Sequence, residues 1–388
     1  MDFRFSARTG WDVGESEFAK AIREARASGR RLLDLTVSNP TACGFEYDIA
    51  GILGALGDRR TMVYDPDPRG MRSAREAVGG YYADHGAEVD PDSVVMTTST
   101  SEGYGYLFRL LCDARDEVLV AQPSYPLFDF LADLEDVQLR SYPLFYDYGW
   151  WIDFAELERR IGPRTRAIVV VHPNNPTGHA TQAGERARLE EICARHGLAL
   201  IVDEVFLDYP IAEDGKLRSF AVGEHPVLTF CLSGMSKISA LPQMKAGWIV
   251  GLGPDGVRRE AMGRLEVIAD TFLSMNAPVQ LALPVWLKDR GGIQGQILRR
   301  VRENYSVAVR SGVEVLRLEA GWSAILRLPQ MEREEDVAGR LLREAEVVVH
   351  PGSFYGIAEA GRVVVSLIVP ANEFAEGLRG IEAAVSRG

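Results

Sequence analysis

Short runs of valine, isoleucine and leucine alternate with amphipathic helical segments between about residues 94 and 250. The runs Ala167–Val171, Leu198–Val202 and Val227–Cys231 are apolar at nearly every position, and each has the length of a strand. Strands of this kind, separated by helices, are typical of a parallel sheet that is buried on both faces. The sequence therefore predicts an α/β fold, in which ligands bind beside the carboxyl ends of the strands.

The pattern changes near Pro284, where a long helical stretch rich in arginine and glutamate is followed by alternating short strands and helices. This change indicates a second, smaller domain of α+β type. A chain of 388 residues is long enough for two or three domains. We predict a large domain at residues 45–283 and a small domain formed by residues 1–44 together with residues 284–388.

The composition argues against several classes of partner. The net charge is −12 and the basic residues are scattered, so nucleic acid is not an expected partner. The apolar runs are far shorter than the roughly 20 residues that cross a bilayer, so no membrane contact is expected. The four cysteines form no CxxC pair, which is typical of reduced thiols in a cytoplasmic protein. The histidines lack HExxH and HxH spacing, so no metal site is predicted.

A lysine and an aspartate follow two of the predicted strands. Lys237 ends the segment Ser233-Gly-Met-Ser-Lys, and in a cleft its partly desolvated amine would be nucleophilic towards an aldehyde. Asp203 ends a buried strand, where a carboxylate is costly without a partner such as a protonated pyridine nitrogen. Taken singly, a lysine is more often exposed, and an aspartate at a strand end is more often a cap or turn residue.

Three further segments carry polar or aromatic groups, and each lies just after a predicted strand. Asn175, in His172-Pro-Asn-Asn-Pro-Thr-Gly178, has an amide that can donate to a phenolate oxygen. Thr100 and Ser101 lie at a predicted helix start, where hydroxyls and free N–H groups bind anions such as phosphate. Tyr125 can stack on a heteroaromatic ring. An ordinary turn, a helix cap and a core tyrosine are the alternative interpretations.

Taken together and in this order, the five segments resemble the class I and II aminotransferases, which use pyridoxal 5′-phosphate. The resemblance runs from about Leu35 to the end of the chain, and its most specific parts are the HPNNPTG segment, Asp203-Glu204 and the Ser-x-x-Ser-Lys segment. It implies fold type I, with a mostly parallel seven-stranded sheet in the large domain. It also implies a homodimer with shared active sites.

The resemblance assigns roles to individual residues. It implies that Lys237 is the Schiff-base lysine and the proton carrier and that Asp203 pairs with the pyridine nitrogen. It also implies a set of other cofactor contacts: Asn175 at the ring hydroxyl, Tyr125 on the ring, Thr100 and Ser101 at the phosphate, Lys245 as a basic phosphate ligand, and Tyr64 at the neighbouring subunit's phosphate.

Two departures concern the cofactor. Phe206 lies where the family usually has a tyrosine, so the phenolate loses one hydrogen bond, which favours a higher imine pKa. Gly234 lacks a hydroxyl that is often found at its position, and Ser236 or Ser233 is the expected substitute.

The largest departure concerns the substrate. The family's arginine for the substrate α-carboxylate falls on Val364 in this sequence. Arg362 lies two residues earlier, on the same strand face, and is either a substitute or a surface residue. Asn39, in the loop at residues 37–44, is the other candidate substrate-binding residue. Without an arginine, an unusual amine, an amino ketone or a modified amino acid becomes a plausible substrate.

The expected reaction is therefore transfer of an amino group between an amino acid or related amine and a keto acid, in two half-reactions. A lyase or cyclase acting at Cβ or Cγ is the main alternative, because the cofactor motifs are the same for both. A protein that binds the cofactor without catalysis is the other alternative, and the intact set of Lys237, Asp203 and Asn175 argues against it.

Overall fold

The structure is a computed structural model that describes residues 4–213, 215–273, 275–329 and 334–387. Its strands are β1 (Leu33–Asp34), β2 (Val94–Thr97), β3 (Glu117–Gln122), β4 (Gln138–Tyr146), β5 (Trp150–Ile152), β6 (Thr165–Val171), β7 (Ala199–Asp203), β8 (Thr229–Gly234), β9 (Gly247–Leu252), β10 (Glu314–Val315), β11 (Ser323–Arg327), β12 (Val347–Val348), β13 (His350–Pro351) and β14 (Arg362–Ser366).

The α-helices lie before, between and after these strands, singly or in runs of two or three. They are α1 (Glu17–Ala27), α2 (Ile49–Ala55), α3 (Arg72–Asp84), α4 (Thr100–Leu111), α5 (Phe128–Leu134), α6 (Phe154–Arg159), α7 (Ala183–His196), α8 (Met235–Ile238), α9 (Asp255–Phe272), α10 (Ala277–Lys288), α11 (Gly291–Val309), α12 (Glu334–Glu344) and α13 (Ala371–Arg387). Among the residues described, none of these helices combines the length and the apolar character needed to traverse a membrane.

The large sheet has the strand order β2-β9-β8-β7-β6-β3-β4-β5. Strands β8, β7, β6, β3 and β4 are parallel neighbours, and β2 runs in the same direction because β9 is antiparallel to both β2 and β8. The predicted α/β fold with a mostly parallel sheet is confirmed. The predicted count of seven strands is wrong for the described residues, because the three-residue strand β5 adds an antiparallel eighth strand to β4.

Both faces of the large sheet are buried, as the apolar runs predict. Successive residues of a strand point to opposite faces. In β7, Leu200 and Val202 pack in one apolar cluster while Ile201 packs in another, and Cys231 and Phe230 of β8 divide in the same way. Helices therefore cover both sides, and polar side chains that follow the strands are left at the sheet's edge.

A second sheet, with the order β10-β11-β14-β13, lies in the C-terminal part of the chain. Leu326, Val363 and Val365 of this sheet share a buried cluster with Ile297 of α11 and Ile381 of α13. The N-terminal segment joins this part of the chain, because β1 pairs in parallel with β12. The domain limits after residues 44 and 283 remain predictions.

The fold places the chemically interesting segments at one edge of the large sheet. The parallel strands β2, β3, β6, β7 and β8 have their carboxyl ends at this edge. Strand β9 runs the other way and therefore begins there, with Gly247 opposite both Thr97 and Gly234.

Candidate active site

Asp203 is a buried carboxylate at the end of β7. Its side chain is 7% exposed, and its two oxygens accept hydrogen bonds from the Val205 N–H at 3.1 Å and the Tyr104 hydroxyl at 3.1 Å. Burial raises the pKa of Asp203 to about 6, although both hydrogen bonds and the charge of Lys237 favour the ionised form. An anion in such surroundings gains from a cationic partner.

Lys237 lies in the short helix α8, which directly follows β8. Its Nζ is 5.0 Å from the ring centre of Trp322 and 5.6 Å from that of Phe206. Burial lowers the pKa of Lys237 to about 8, while the charge of Asp203 opposes the change. About a tenth of Lys237 is therefore a neutral, nucleophilic amine at pH 7, far more than for an exposed lysine.

The backbone around Lys237 is fixed by neighbouring elements. The Met235 N–H donates to the Ala246 carbonyl at 2.9 Å, which ties the start of α8 to the residue before β9. The Tyr209 hydroxyl donates to the Lys237 carbonyl at 2.6 Å. The lysine side chain is thus carried on a constrained turn, while its Nζ makes no hydrogen bond or ion pair with any residue that the structure describes.

Asn175 follows β6 and is held by the small sheet. Ser323, the first residue of β11, donates from Oγ to Asn175 Oδ1 at 3.1 Å. The preceding Asn174 is buried; its Oδ1 accepts from the N–H and hydroxyl of Thr177, and its NH₂ donates to the Pro123 carbonyl at 3.4 Å. The serine therefore occupies the carbonyl end of the Asn175 amide and leaves its NH₂ group as the donor that can face a ligand.

The start of α4 has the features of an anion site. Ser99 caps the helix by accepting from the Glu102 N–H, and Glu102 accepts in turn from the Thr98 N–H and hydroxyl. The half-buried Thr100 and Ser101 keep their hydroxyls and first-turn N–H groups outside these caps. A Cβ on Gly247 would lie 3.0–3.1 Å from the Ser99–Thr100 backbone, so glycine permits β9 to approach this turn.

Tyr125 lies beside the carboxylate, and its ring is 41% exposed. It meets Phe128 edge to face at 6.2 Å between ring centres. Burial and then the nearby charge of Asp203 raise its pKa. The exposed part of the ring is available for stacking, while Phe128 fixes its tilt.

The remaining predicted residues differ in exposure and in hydrogen bonding. Lys245 is exposed, two residues before the strand that packs on α4, and Tyr64 is 81% exposed. Asn39 is exposed, and its side chain accepts from the N–H and hydroxyl of Thr41. Ser236 is half-buried beside Lys237. Arg362 donates from Nη1 to the Ala360 carbonyl at 3.3 Å, at the start of β14.

Three residues at the site were missed by the sequence reasoning. Tyr104 lies four residues after Thr100, on the same face of α4, so helical spacing was an available signal for it. Trp322 and Ser323 come from the C-terminal part of the chain, and no local pattern connects them with the large sheet. Only the three-dimensional arrangement brings them to Lys237 and Asn175.

The site fits pyridoxal phosphate on four counts. It offers a depressed-pKa amine for the aldehyde, a buried carboxylate for the pyridine nitrogen, an amide donor for the ring oxygen and a helix start for the phosphate. These four features come from four different strand ends, and the fold brings them to one edge of the sheet.

Known proteins support the same conclusion. The sequence model of the family "Aminotransferase class I and II" matches residues 50–379, which is more than half of the chain. Alanine aminotransferase of Mycobacterium tuberculosis is 30% identical over 277 residues, which cover 70% of this chain and 64% of that protein. Glutamate-pyruvate aminotransferase AlaA of Escherichia coli is 28% identical over 276 residues, covering 71% and 67%.

A solved structure shows the same fold over the whole chain. Alanine aminotransferase from Pyrococcus furiosus superposes with a TM-score of 0.90 at 21% sequence identity, covering 99% of this chain and 100% of that one. The family match, the relatives and the geometry agree: the chain belongs to the class I and II aminotransferases and is a pyridoxal phosphate-dependent transaminase.

Proposed function

We propose that Lys237 is the residue that both anchors the cofactor and moves the proton during transamination, and that Asp203, Asn175, Tyr125, Thr100 and Ser101 hold the cofactor in place. The observation that carries this proposal is the position of an amine of pKa about 8 and a buried carboxylate of pKa about 6 at the carboxyl ends of the neighbouring strands β8 and β7. The substrates are an amino acid or related amine and a keto acid.

The bound cofactor supplies an aldehyde that takes up the amino group and a ring that withdraws electrons from the adjacent carbon. Asp203 would hold the ring nitrogen of the bound cofactor and favour its protonated form, because an ionised carboxylate in a buried site stabilises a positive partner. Tyr104 and the Val205 N–H hold that carboxylate in orientation through its two oxygens. With the cofactor bound, Lys237 would hold it through Nζ, and the same amine, when free, would accept and return the proton of the substrate's amine-bearing carbon.

Phe206 and Trp322 exclude water from the path of that proton. Both rings lie within 6 Å of Nζ and within 5.5 Å of each other, measured between ring centres for the pair. The desolvation that lowers the pKa of the amine favours proton transfer to the substrate over exchange with solvent.

Ser236 and Lys245 complete the phosphate site in this proposal, and Tyr64 reaches the phosphate of a second subunit in a homodimer. Tyr64 and its neighbour Met62 are among the most exposed large apolar side chains of the chain, at 81% and 87%. Exposed apolar groups in one segment are typical of a protein interface.

Borohydride reduction of the loaded enzyme, followed by tryptic digestion and mass spectrometry, tests the anchor. A phosphopyridoxyl group is expected on Lys237 and on no other lysine. The Lys237→Ala variant should lose the label and the half-reaction, while Lys288→Ala, which removes an exposed lysine of α10, should keep both. A label elsewhere, or no label, contradicts the proposal.

The same preparation distinguishes transamination from elimination. In a half-reaction with a single amine, transamination gives the keto product and leaves the cofactor in its pyridoxamine form. Release of ammonia with retention of the aldehyde form would identify a lyase instead.

A further inference from the structure

The turn that carries Lys237 ends in a strained residue. Ala240, three residues after the lysine, has a φ of +53°, in the left-handed region that residues with a Cβ rarely adopt. Its N–H donates to the Lys237 carbonyl at 3.2 Å, and it is completely buried in one apolar cluster with Tyr209 and Trp322. A residue other than glycine keeps such a backbone only where its surroundings hold it there.

Three side chains hold this turn by donating hydrogen bonds to its backbone carbonyls. The bonds are those of the Tyr209 hydroxyl to Lys237 at 2.6 Å, of Gln294 Nε2 to Ile238 at 2.8 Å and of the Tyr47 hydroxyl to Ala240 at 3.0 Å. The last carbonyls of a helix lack partners within it, and α8 has only one turn, so donors from outside the helix satisfy them. We call Tyr47, Tyr209 and Gln294 the carbonyl clamp.

The carbonyl clamp joins α8 to separate parts of the chain. Tyr209 follows β7, Gln294 lies in the first turn of α11, and Tyr47 precedes α2. A further bond runs from the Ser239 hydroxyl to the carbonyl of Trp286 in α10, at 3.0 Å. The backbone at Lys237 therefore cannot rotate without breaking hydrogen bonds to several elements.

Tyr209 acts on the surroundings of the Lys237 amine as well as on its backbone. Tyr209 is completely buried, and its ring packs edge to face on Trp322 at 5.0 Å between ring centres. Trp322 in turn lies 5.0 Å from Nζ, measured to its ring centre. One tyrosine thus contacts both the carbonyl of the lysine and the aromatic ring beside its amine.

The donors of the carbonyl clamp stay protonated throughout the neutral pH range. Burial raises the pKa of Tyr209 well above its ordinary value and that of Tyr47 to about 12, and the amide of Gln294 does not titrate. Nζ itself has no hydrogen-bond or ion-pair partner among the residues described. Its direction therefore depends on the backbone that carries the lysine and on the rings around the amine.

We infer that Tyr209, Gln294 and Tyr47 are positioning residues that orient Lys237 towards the cofactor's aldehyde. In the attachment step the amine nitrogen bonds to the aldehyde carbon, and the carbonyl oxygen leaves as water with the two amine hydrogens, without oxidation or reduction. A displacement of about 1 Å between reacting groups can cost about a hundredfold in rate. The inference rests on the proposed function, in which Lys237 is the anchor.

The test measures the rate of cofactor attachment in the full chain from which the cofactor has been removed. Pyridoxal phosphate is added at saturation, and the growth of the visible band is followed. Tyr209→Phe should slow attachment by about tenfold or more, and Gln294→Met and Tyr47→Phe by about three- to tenfold. Tyr142→Phe is the matched control, because this buried hydroxyl donates to the Val169 carbonyl at 2.9 Å within the large sheet. Its rate should stay within about twofold of the wild type.

A second measurement separates positioning from a general structural role. In chains that carry Lys237→Ala the cofactor binds only through its other contacts, and equilibrium dialysis gives its dissociation constant. Adding Tyr209→Phe to such a chain should change that constant by less than about twofold, because the lysine that the tyrosine orients is gone. If the constant rises by about tenfold instead, Tyr209 shapes the whole pocket and the inference is wrong.

Borohydride trapping distinguishes failure of this inference from failure of the proposed function. A label on Lys237 together with an attachment rate within about twofold of the wild type in Tyr209→Phe overturns the inference alone. A label on a different lysine in the wild type overturns the proposed function itself. A thermal melt establishes that each variant is folded, and Gln294→Met, at a half-buried position of α11, carries the test should Tyr209→Phe fail to fold.

Discussion

The same physical cause brings the pKa values of Asp203 and Lys237 closer together. Burial disfavours the charged form of each group, so it raises the pKa of the acid to about 6 and lowers that of the amine to about 8. Each pKa therefore lies close to neutral pH, where a small change in the surroundings alters the charge of the group. This is the condition under which a lysine serves both as nucleophile and as proton carrier.

Phe206 provides a test at the scale of a single residue. Its ring is 6% exposed and lies near Nζ, where a tyrosine would offer the cofactor's phenolate a hydroxyl donor. A hydrogen bond to a charged group contributes about 1.5–3 kcal/mol, so Phe206→Tyr should lower the pH midpoint of the visible band by about one to two pH units. Spectrophotometric titration measures it, and Phe206→Leu, which adds no hydroxyl, is the control. An unchanged midpoint in Phe206→Tyr contradicts the hypothesis.

The sequence predicted the positions of Lys237 and Asp203 because each follows an unmistakably apolar strand. It did not predict the residues that surround these two side chains in the folded protein. Tyr104 acts from a helix that a pattern of apolar residues already explained, and Trp322 acts from a segment more than eighty residues later in the chain. Local patterns report which element a residue belongs to, whereas a pKa depends on residues that the fold brings together.

At the scale of elements, a buried ionic cluster connects the loop after β6 with the segment that leads into β11. His179 is 3% exposed, with Nε2 2.9 Å from Glu185 and Nδ1 3.7 Å from Glu319. Glu319 also accepts from the Ala180 N–H at 2.9 Å, and the Ala320 N–H donates to the Gly178 carbonyl. Three residues after Glu319 comes Trp322, so this cluster positions the aromatic wall beside Lys237.

Gly178 is required by that junction. Its φ is +66°, and a Cβ there would lie 1.9 Å from Leu318 Cδ1 and 2.5 Å from the Ala320 carbonyl oxygen. Any side chain would push the segment before β11 away from the loop after β6. The glycine of the HPNNPTG segment thus allows the loop after β6 to contact the segment before β11 closely. The sequence alone did not identify this role.

The cluster makes stability depend on pH. Burial alone would lower the pKa of His179, but Glu185 and Glu319 outweigh it and raise that pKa to about 8. A raised histidine pKa contributes stability that is fully present below about 6.5 and is lost as the pH rises through about 8. The loss for His179 is about 2 kcal/mol.

Thermal unfolding between pH 6 and pH 9 measures this effect, as the difference between the wild type and His179→Gln. That difference should shrink across the window. His225→Gln is a matched control, because burial lowers the pKa of His225 and confines its titration to lower pH. A difference that is constant with pH would show that His179 does not titrate in this range.

At the scale of the whole molecule, the proposed homodimer can be tested by complementation. Lys237→Ala and Tyr64→Phe chains are each impaired alone, but a mixed dimer has one site with an intact lysine from one chain and an intact tyrosine from the other. Random pairing should restore about a quarter of the sites. Coexpressed and purified mixtures are assayed for transamination.

The control is a mixture of Lys237→Ala with Asp203→Asn, whose changes fall in the same chain's site. That mixture should stay inactive. If the first mixture also stays inactive, Tyr64 does not serve a neighbouring subunit.

The pattern of helices and strands predicted the large sheet, but it carries no information on how two chains would associate. The α/β fold followed from the apolar runs. The extra strand β5 was not predicted, because three residues that alternate in burial carry too little signal. A subunit interface has no comparable periodicity. The exposed residues around Tyr64 become meaningful only when the folded chain leaves them uncovered.

The burial of the Lys237 side chain has a consequence for the life of the protein in the cell. Burial costs the amine part of its hydration, since its Nζ has no hydrogen-bond acceptor among the residues described, and a group held covalently there adds contacts that only the folded chain can make. Vitamin supply would then set not only how many chains are active but how many survive, since chains that stay unloaded unfold more readily and are degraded first.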